Sequence, residues 1–414
     1  MTRSARLAIS LAALLSAGVA LAQAPEIQSV ESATATAAPV AHVYVGSGSH
    51  ILAFSAAATG KLTAVPGSPF NYGLSLQGAN GHYLFGFEPS SVIIESFSMA
   101  ANGALKKAAT TNTAKYNADS TCPLTYFNGQ GLRIDHSGED LYNAAIPAEF
   151  PCRTWYQSYR IDNANGELTF LANEGDVFLG GPSINILGNN KFAYSPDCAA
   201  AFGNGPSPQV TVFQRVDSGE LVTANAGVSI PVAPVDTSNP DSGGPYSGYY
   251  CPLMMATDPT NHAAMTLVAY DPDDGGNYGP VVIATFTADA KGNLKTTSTY
   301  KNMAVSEPGG GPTGVPAGSM RMAPSGKLLA IGGNGLEIFH FNGGSQVTKY
   351  KTLLPGFNVT QILWDNNNHM YAIGTTSAGA GKLYVYTVTP TSITEAPGSP
   401  YSIANPENIV VQPL

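Results

Sequence analysis

The stretch Phe54-Ser55-Ala56-Ala57-Ala58-Thr59-Gly60-Lys61-Leu62 places a β-prone aromatic residue and a β-prone leucine on either side of a glycine-containing turn. This pattern predicts two antiparallel strands joined by a short loop. A similar spacing of seven to nine residues recurs six times, with weaker turn residues in the last two copies. The copies are Phe97 to Leu105, Tyr159 to Leu168, Phe213 to Leu221, Phe286 to Leu294, Phe339 to Val347 and Tyr386 to Ile393. The chain is therefore predicted to contain seven hairpins.

A second recurring element precedes the hairpins and consists of a polar turn followed by an apolar strand. Asp135-His136-Ser137-Gly138 precedes Leu141, and Asp365-Asn366-Asn367-Asn368 precedes Met370. A hairpin cannot bury its apolar face alone, and repetition at roughly 40 to 75 residues is typical of stacked β-sheets such as propeller blades. We therefore predict an all-β fold, a seven-bladed β-propeller with four-stranded antiparallel blades.

The two ends of this array are incomplete in complementary ways. His42-Val43-Tyr44-Val45 begins the first blade without an inner strand before it, whereas Asn408-Ile409-Val410-Val411-Gln412-Pro413 is an inner strand with nothing after it. Pairing between the two would remove exposed edges that favour aggregation. The C-terminal strand is therefore predicted to complete the first blade and to close the propeller.

The chain resembles the bacterial lactonase-type seven-bladed propellers, a group that includes the 6-phosphogluconolactonase-like proteins. The resemblance covers residues 43–413 and rests on the Gly-x-Leu hairpins and on three segments. These are Met322-Ala323-Pro324-Ser325-Gly326-Lys327-Leu328-Leu329, Pro66-Gly67-Ser68-Pro69-Phe70 and its mirror Pro397-Gly398-Ser399-Pro400-Tyr401. It implies the propeller fold and, as an activity, hydrolysis of sugar lactones.

The lactonase residues themselves are replaced in this chain. The resemblance implies an Arg-His pair before an inner strand and a Glu after the next strand, at the axial pocket. Gly318-Ser319 and Gly332-Gly333 stand at those places, and Glu88 alone keeps an acid at a comparable position. This departure favours an exported scaffold that binds a ligand or another protein, with sugar-lactone hydrolysis by a non-standard pocket as the alternative.

Four residues are candidates for the site if the protein is an enzyme. Arg133 and Arg321 occupy the same predicted inner-strand position, so they can face each other across the channel and attract a carboxylate or phosphate. The other possibility is that each pairs with a nearby Asp or Glu. His50 lies on a loop expected at the pocket face, and His50 or Glu88 would act as the base while an arginine stabilises the oxyanion.

The remaining histidines are expected to be structural. Four of them recur just before the second strand of a blade, where a side chain commonly makes a turn hydrogen bond. These are His42, His82, His262 and His369. His136 lies within a turn and His340 within a strand, and both are also expected to have structural roles.

The N-terminus and the composition indicate export. Residues 1–22 combine Arg3 and Arg6 with an apolar run and an Ala20-Leu21-Ala22 site, which is typical of a signal peptide. Residues 23–41 are predicted to be a flexible leader and residues 42–414 a single propeller domain. Without Arg3 and Arg6 the chain has 17 basic and 28 acidic residues, a net charge of −11, which argues against nucleic acid and anionic membranes as partners.

We therefore expect a periplasmic or extracellular monomer without cofactor and without membrane insertion. Its partner would be a small anionic or sugar-derived ligand, or another protein. An oxidising compartment predicts disulfides, and the order of the blades favours Cys122 with Cys152 and Cys198 with Cys251 over a metal site made of four thiols. The acidic loop of Asp271, Asp273 and Asn277 is a weak calcium candidate, and a solvated loop is favoured there.

Overall fold

The computed structural model describes residues 38–88, 91–116, 124–125, 131–147, 154–177, 183–201, 205–236, 246–271, 276–306 and 319–414. These ranges form antiparallel β-sheets together with one 3-10 turn, Thr113–Tyr116, and contain no α-helix. Accordingly, none of the described segments is a helix that could cross a membrane. The predicted all-β class is confirmed.

The strands of the described ranges form six sheets, numbered here in the order in which they first occur in the chain. Sheet one contains β1 (Ala41–Ser47), β2 (His50–Ala56) and β3 (Leu62–Ala64). Sheet two contains β4 (Ser75–Ala79), β5 (Tyr83–Phe87), β6 (Ile93–Met99) and β7 (Leu105–Asn112). Sheet three contains β8 (Leu124–Thr125), β9 (Leu132–Ile134), β10 (Asp140–Pro147), β11 (Thr154–Ile161) and β12 (Leu168–Val177). Sheet four contains β13 (Asn185–Ile186), β14 (Phe192–Ala201), β15 (Gly205–Arg215) and β16 (Leu221–Thr223).

The remaining strands form sheets five and six and complete sheet one. Sheet five contains β17 (Val232–Asp236), β18 (Tyr246–Thr257), β19 (His262–Asp271), β20 (Gly276–Ala288), β21 (Leu294–Lys295) and β22 (Ala304–Val305). Sheet six contains β23 (Met320–Met322), β24 (Leu328–Asn342), β25 (Ser345–Trp364), β26 (His369–Thr376), β27 (Gly381–Val388), β28 (Ile393–Glu395) and β29 (Tyr401–Ser402). The last strand, β30 (Pro406–Pro413), belongs to sheet one.

All seven predicted hairpins are present. In the first, Ala56 pairs with Leu62 across the turn that contains Gly60, and in the last, Val388 pairs with Ile393. The other five are antiparallel pairs between β6 and β7, β11 and β12, β15 and β16, β20 and β21, and β24 and β25. The aromatic and glycine pattern therefore located these strand pairs correctly.

The C-terminal strand pairs with the first strand of the chain, as predicted. Val43 is opposite Val411 and Val45 is opposite Ile409, so β30 lies at the edge of β1 and makes sheet one four-stranded. Two further sheets, two and four, also have four strands. Sheet six combines two of the predicted units, because the 20-residue β25 pairs with β24 through its first half and with β26 through its second.

Neighbouring sheets are joined by a repeated contact at the hairpin turns. The hydroxyl of Tyr44 donates to the carbonyl of Gly103 in the next sheet at 3.0 Å. Tyr142 and Tyr194 donate in the same way to the carbonyls of Gly219 and Gly292, at 2.9 and 2.8 Å. Each of these turns is therefore held by the second strand of the preceding unit.

Sheet six and sheet one also meet at a hairpin turn. The His369 imidazole lies close to the turn glycine Gly60. At the inner edges, the Gln361 side chain accepts from the Ile409 amide at 2.8 Å, and the Asn408 side chain accepts from the Leu76 amide at 2.9 Å. Hydrogen bonds therefore pass from sheet six to sheet one and on to sheet two. The apolar core lies between the facing sheets.

Candidate functional site

The strand register places three polar residues at equivalent positions on the inner edges of their sheets. Arg133 on β9 pairs with Tyr142, the third residue of β10. Arg321 on β23 pairs with Ala330, which is likewise the third residue of β24. Asn185 on β13 pairs with Tyr194, which is the third residue of β14. Sequence reasoning found the two arginines and missed Asn185, although Ile184-Asn185-Ile186 repeats the apolar-polar-apolar pattern of Met320-Arg321-Met322.

One cavity of about 150 Å³ brings these three residues together. Its lining comes from the inner strands of sheets three to six and from the turn after β9. The polar lining residues are Arg133, His136, Asn185, Thr257 and Arg321, and the apolar ones are Ile134, Ile186, Met255, Ala256, Met320 and Met322. A recess of about 10 Å³ shares both arginines and adds Ser183 and Met254.

Neither arginine of this cavity has a carboxylate partner among the described residues. The Nε of Arg133 donates to the Ile184 carbonyl at 2.8 Å, and an Nη of Arg321 donates to the Met320 carbonyl at 2.9 Å. The Nε of Arg321 is buried without a hydrogen bond. The expectation that each arginine would pair with a nearby Asp or Glu is therefore not met within this part of the chain.

The two guanidinium groups also affect each other electrostatically. Burial lowers the pKa of Arg133. Burial, together with repulsion from Arg133, lowers the pKa of Arg321 to about 9, which still leaves it cationic at neutral pH. Two neighbouring cations with few acceptors form an environment that a bound anion would stabilise.

His136 is the second cavity residue that sequence reasoning missed. Its Nε2 lies 3.2 Å from the Ile186 carbonyl, which also accepts from the Thr257 hydroxyl at 2.7 Å. A carbonyl can only accept, so Nε2 carries the proton and Nδ1 keeps a lone pair in the neutral ring. The turn position suggested a structural role, whereas the spacing Arg133-x-x-His136 was the available signal for a shared site.

The other two candidates do not join this cavity. His50 is placed by a 3.0 Å contact between its Nδ1 and the Ser49 hydroxyl, and it is absent from the lining. Glu88 contacts Glu95, and a hydrogen bond to Glu95, burial and charge repulsion raise the pKa of Glu88. Lys107 forms an ion pair with Glu95. Of the four predicted site residues, Arg133 and Arg321 therefore line the cavity, and His50 and Glu88 do not.

The fold was compared with solved structures. The periplasmic gluconolactonase PpgL of Pseudomonas aeruginosa superposes with a TM-score of 0.60 at 14% identity, over 90% of this chain and 99% of that chain. A candidate 6-phosphogluconolactonase of Bacteroides uniformis superposes with a TM-score of 0.58 at 12% identity, over 90% of this chain and 99% of that chain. The chain has the fold of the lactonase-type β-propellers.

Fold similarity at this level of identity does not establish the activity. A hypothetical selenium-binding protein of Sulfolobus tokodaii also superposes on this propeller, with a TM-score of 0.55 at 10% identity, over 90% of this chain and 92% of that chain. No protein-family model and no curated protein sequence matches the chain. The argument for function therefore depends on the cavity.

Three of the repeated propeller histidines are held in hydrogen bonds, as expected. Nδ1 of His262 lies 2.9 Å from Asp258, and Nδ1 of His369 lies 2.7 Å from Asp365. Nε2 of His42 lies 3.2 Å from the carbonyl of Ala101 in the next hairpin. These rings connect turns and sheets, and none of them lines the arginine cavity.

A disulfide joins Cys198 on β14 to Cys251 on β18, with 5.1 Å between the two Cα atoms. It is the bridge that was predicted between sheets four and five. Cys122 and Cys152 lie outside the described residues, as do Asp273 and the side chains of Asp271 and Asn277.

Proposed function

We propose that this protein hydrolyses small lactones that carry a negatively charged group, in the cavity between Arg133 and Arg321. The observation that carries the proposal is the presence of two partly buried arginines in one cavity without a carboxylate partner among the described residues. Such a pair is costly to the fold unless it meets an anion. The names of the structural neighbours, a gluconolactonase and a candidate 6-phosphogluconolactonase, suggest a lactone as the substrate.

The two arginines would have different tasks in this reaction. One guanidinium would bind the permanent charge of the substrate, a carboxylate or a phosphate. The other would donate to the lactone carbonyl oxygen, on which negative charge develops when water attacks. The tetrahedral intermediate would then release the ring oxygen as an alcohol, so that the lactone and one water give a hydroxy acid.

His136 is the base that the cavity offers for this step. Its Nδ1 would take a proton from the attacking water, while the bond from Nε2 to the Ile186 carbonyl fixes the ring. The imidazolium would then return the proton to the departing ring oxygen. Asn185 lies in the same cavity, and its side chain would position the substrate.

We propose further that the six sheets make seven blades in a closed ring. The seven hairpins support this number of blades. The pairing of β30 with β1 and the contact of His369 with Gly60 support closure. We also propose that the protein is exported to the periplasm or beyond, because such an oxidising compartment suits the Cys198–Cys251 disulfide.

The test uses three lactones and the purified mature protein. They are 6-phosphogluconolactone, glucono-δ-lactone and 5-oxotetrahydrofuran-2-carboxylate, and acid release is measured against spontaneous hydrolysis. We expect the two anionic lactones to be preferred over the neutral one in kcat/KM by about tenfold or more. Arg133→Met and Arg321→Met should each lower kcat/KM by about 10² to 10³, and His136→Gln should lower kcat by about 10² or more.

The variants themselves provide the controls. Arg321→Met should fold at least as stably as the original chain, because it replaces a partly buried charge, which has no carboxylate partner among the described residues, with an apolar side chain. His50→Gln and Glu88→Gln should keep full activity, because both residues lie outside the cavity lining. Loss of activity in the latter two with retention in the arginine variants would overturn the assignment.

A binding protein without turnover is the second candidate. It is favoured by the lack of any carboxylate in the described cavity lining. Anions that bind with a dependence on Arg321, together with no acceleration of any of the three lactones, would select this candidate over the hydrolase. If the protein neither binds these anions nor hydrolyses any of the three lactones, both candidate functions are overturned.

A further inference from the structure

Methionine side chains dominate the apolar part of the arginine cavity. Met320 and Met322 stand on either side of Arg321 on β23, and Met254 and Met255 come from β18 of the neighbouring sheet. Met255 and Met320 are buried, with 3% and 1% of their surface exposed. Met254 and Met322 are only partly buried. Methionines from two sheets therefore line the space next to the guanidinium groups.

The polar groups of the described lining are largely committed to the protein. The Thr257 hydroxyl donates to the Ile186 carbonyl. The amide nitrogen of Asn185 lies 3.4 Å from both the Ser183 hydroxyl and the Tyr194 carbonyl. The arginines can only donate hydrogen bonds. Nδ1 of His136 and Oδ1 of Asn185 are the main side-chain acceptors of the described lining that remain for the hydroxyl hydrogens of a ligand.

A sugar acid would be poorly matched to such a lining. Each hydroxyl that enters a protein cavity needs an acceptor for its hydrogen, and a hydroxyl left without one weakens binding. Methionine, in contrast, is flexible and polarisable, and its sulfur makes favourable contacts with the edges of planar unsaturated rings. The lining therefore combines strong recognition of an anion with an apolar, adaptable wall.

We propose that the ligand of this cavity is a carboxylate whose body is apolar and unsaturated, with few or no hydroxyl groups. The carboxylate binds between Arg133 and Arg321, and the body of the ligand packs against the methionines. This inference rests on the proposed function for its location, and it narrows the substrate to lactones derived from such acids. Sugar lactones are then poor substrates.

The experiment compares benzoate and gluconate, which carry one carboxylate each and differ in their hydroxyl groups. Binding is measured by calorimetry on the full mature protein at constant ionic strength, with acetate as a probe of the charge alone. We expect benzoate to bind at least tenfold more tightly than gluconate. Equal affinities, or a preference for gluconate, would overturn the proposal.

Two partly exposed methionines, Met254 and Met322, allow the wall to be changed while the buried Met255 and Met320 are kept. Met254→Gln and Met322→Gln should each weaken benzoate binding about fivefold to tenfold and leave acetate binding unchanged. Met254→Leu and Met322→Leu should retain most of the benzoate affinity, because they keep an apolar side chain. Met99→Gln is the matched control, since Met99 is also partly buried and lies on β6, outside the cavity lining.

The outcomes separate this inference from the proposed reaction. Tight benzoate binding that depends on Met254 and Met322, without hydrolysis of any lactone, would support the apolar ligand and exclude the hydrolase. Hydrolysis of 6-phosphogluconolactone with a preference for gluconate would retain the hydrolase and exclude the apolar ligand. Benzoate binding unaffected by both glutamine substitutions would also overturn the inference, because the wall would then make no contribution.

Discussion

Gly103 shows how a single residue joins two sheets of this propeller. Its φ is +82°, a conformation that side chains with a Cβ rarely adopt. A Cβ at this position would also lie 2.7 Å from Nδ1 of His42 and 2.9 Å from Val65. The residue is therefore restricted both by its own backbone and by the neighbouring sheet.

These two restrictions can be separated with a pair of alanine substitutions. Gly379 has nearly the same φ, +81°, and nothing within 4 Å of the position of a Cβ. Gly379→Ala should cost about 1 to 2 kcal/mol of the free energy of unfolding, for the backbone alone. Gly103→Ala should cost about 1 to 3 kcal/mol more, because it also overpacks the junction. Urea unfolding measures the stability of both variants. Equal losses of stability would show that His42 and Val65 move aside to accept the added methyl group at no cost.

The site residues illustrate the limits of sequence reasoning at this scale. Arg133 and Arg321 could be predicted as a pair because the repeat fixes which position faces the channel. His136 was harder to predict, because a histidine in a polar turn looks the same whether it holds the turn or lines a cavity, and only its spacing from Arg133 pointed to the site. The absence of carboxylate partners was also not predictable, since it depends on which sheets meet around the arginines.

Among the elements, β30 connects the two ends of the described chain. It covers the edge of β1, where Val43 and Val45 are completely buried. Its Asn408 also accepts a hydrogen bond from the amide of Leu76 in sheet two. One eight-residue strand therefore completes the first sheet and connects it to the second.

Removal of residues 406–414 should yield insoluble protein, because β1 would then present an unpaired apolar edge. Asn408→Ala is the milder comparison. It keeps the strand and removes the acceptor for Leu76, so it should remain soluble and lose about 1 to 3 kcal/mol of stability. Soluble expression and chemical unfolding distinguish the two, and a soluble truncated monomer with unchanged stability would contradict the role given to β30.

The hairpins were predictable because their signal is local. An aromatic residue, a turn glycine and a leucine lie within eight or nine residues of one another in the first five copies. The joining of two predicted units into sheet six was not predictable in this way. Whether the two halves of β25 belong to one sheet depends on how neighbouring strands twist and pair, which is a property of the assembled sheets.

At the scale of the whole molecule, the Cys198–Cys251 disulfide connects two sheets that both contribute to the cavity. Asn185 pairs with β14, which carries Cys198, and Met255 lies on the same strand as Cys251. The bridge closes a segment of 53 residues. It therefore restricts the unfolded chain over more than a tenth of its length.

Replacing Cys198 and Cys251 together by serine should lower the free energy of unfolding by about 3 to 4 kcal/mol, as expected for a loop of this length. The measurement is urea unfolding of oxidised protein, with the original chain in reductant as a second sample. The reduced original chain should be destabilised at least as much as the double variant. Identical unfolding of all three samples would show that the bridge contributes nothing to stability.

The pairing of β1 with β30 also has a consequence for biosynthesis. A ribosome adds about 5 to 20 residues per second, so the partner of β1 emerges roughly 20 to 70 s after β1 itself. During that interval the most apolar edge of the first sheet has no native partner. The nascent chain must therefore be kept apart from its copies, and an exported chain would meet this need if a holding chaperone delivered it to the membrane before it folds.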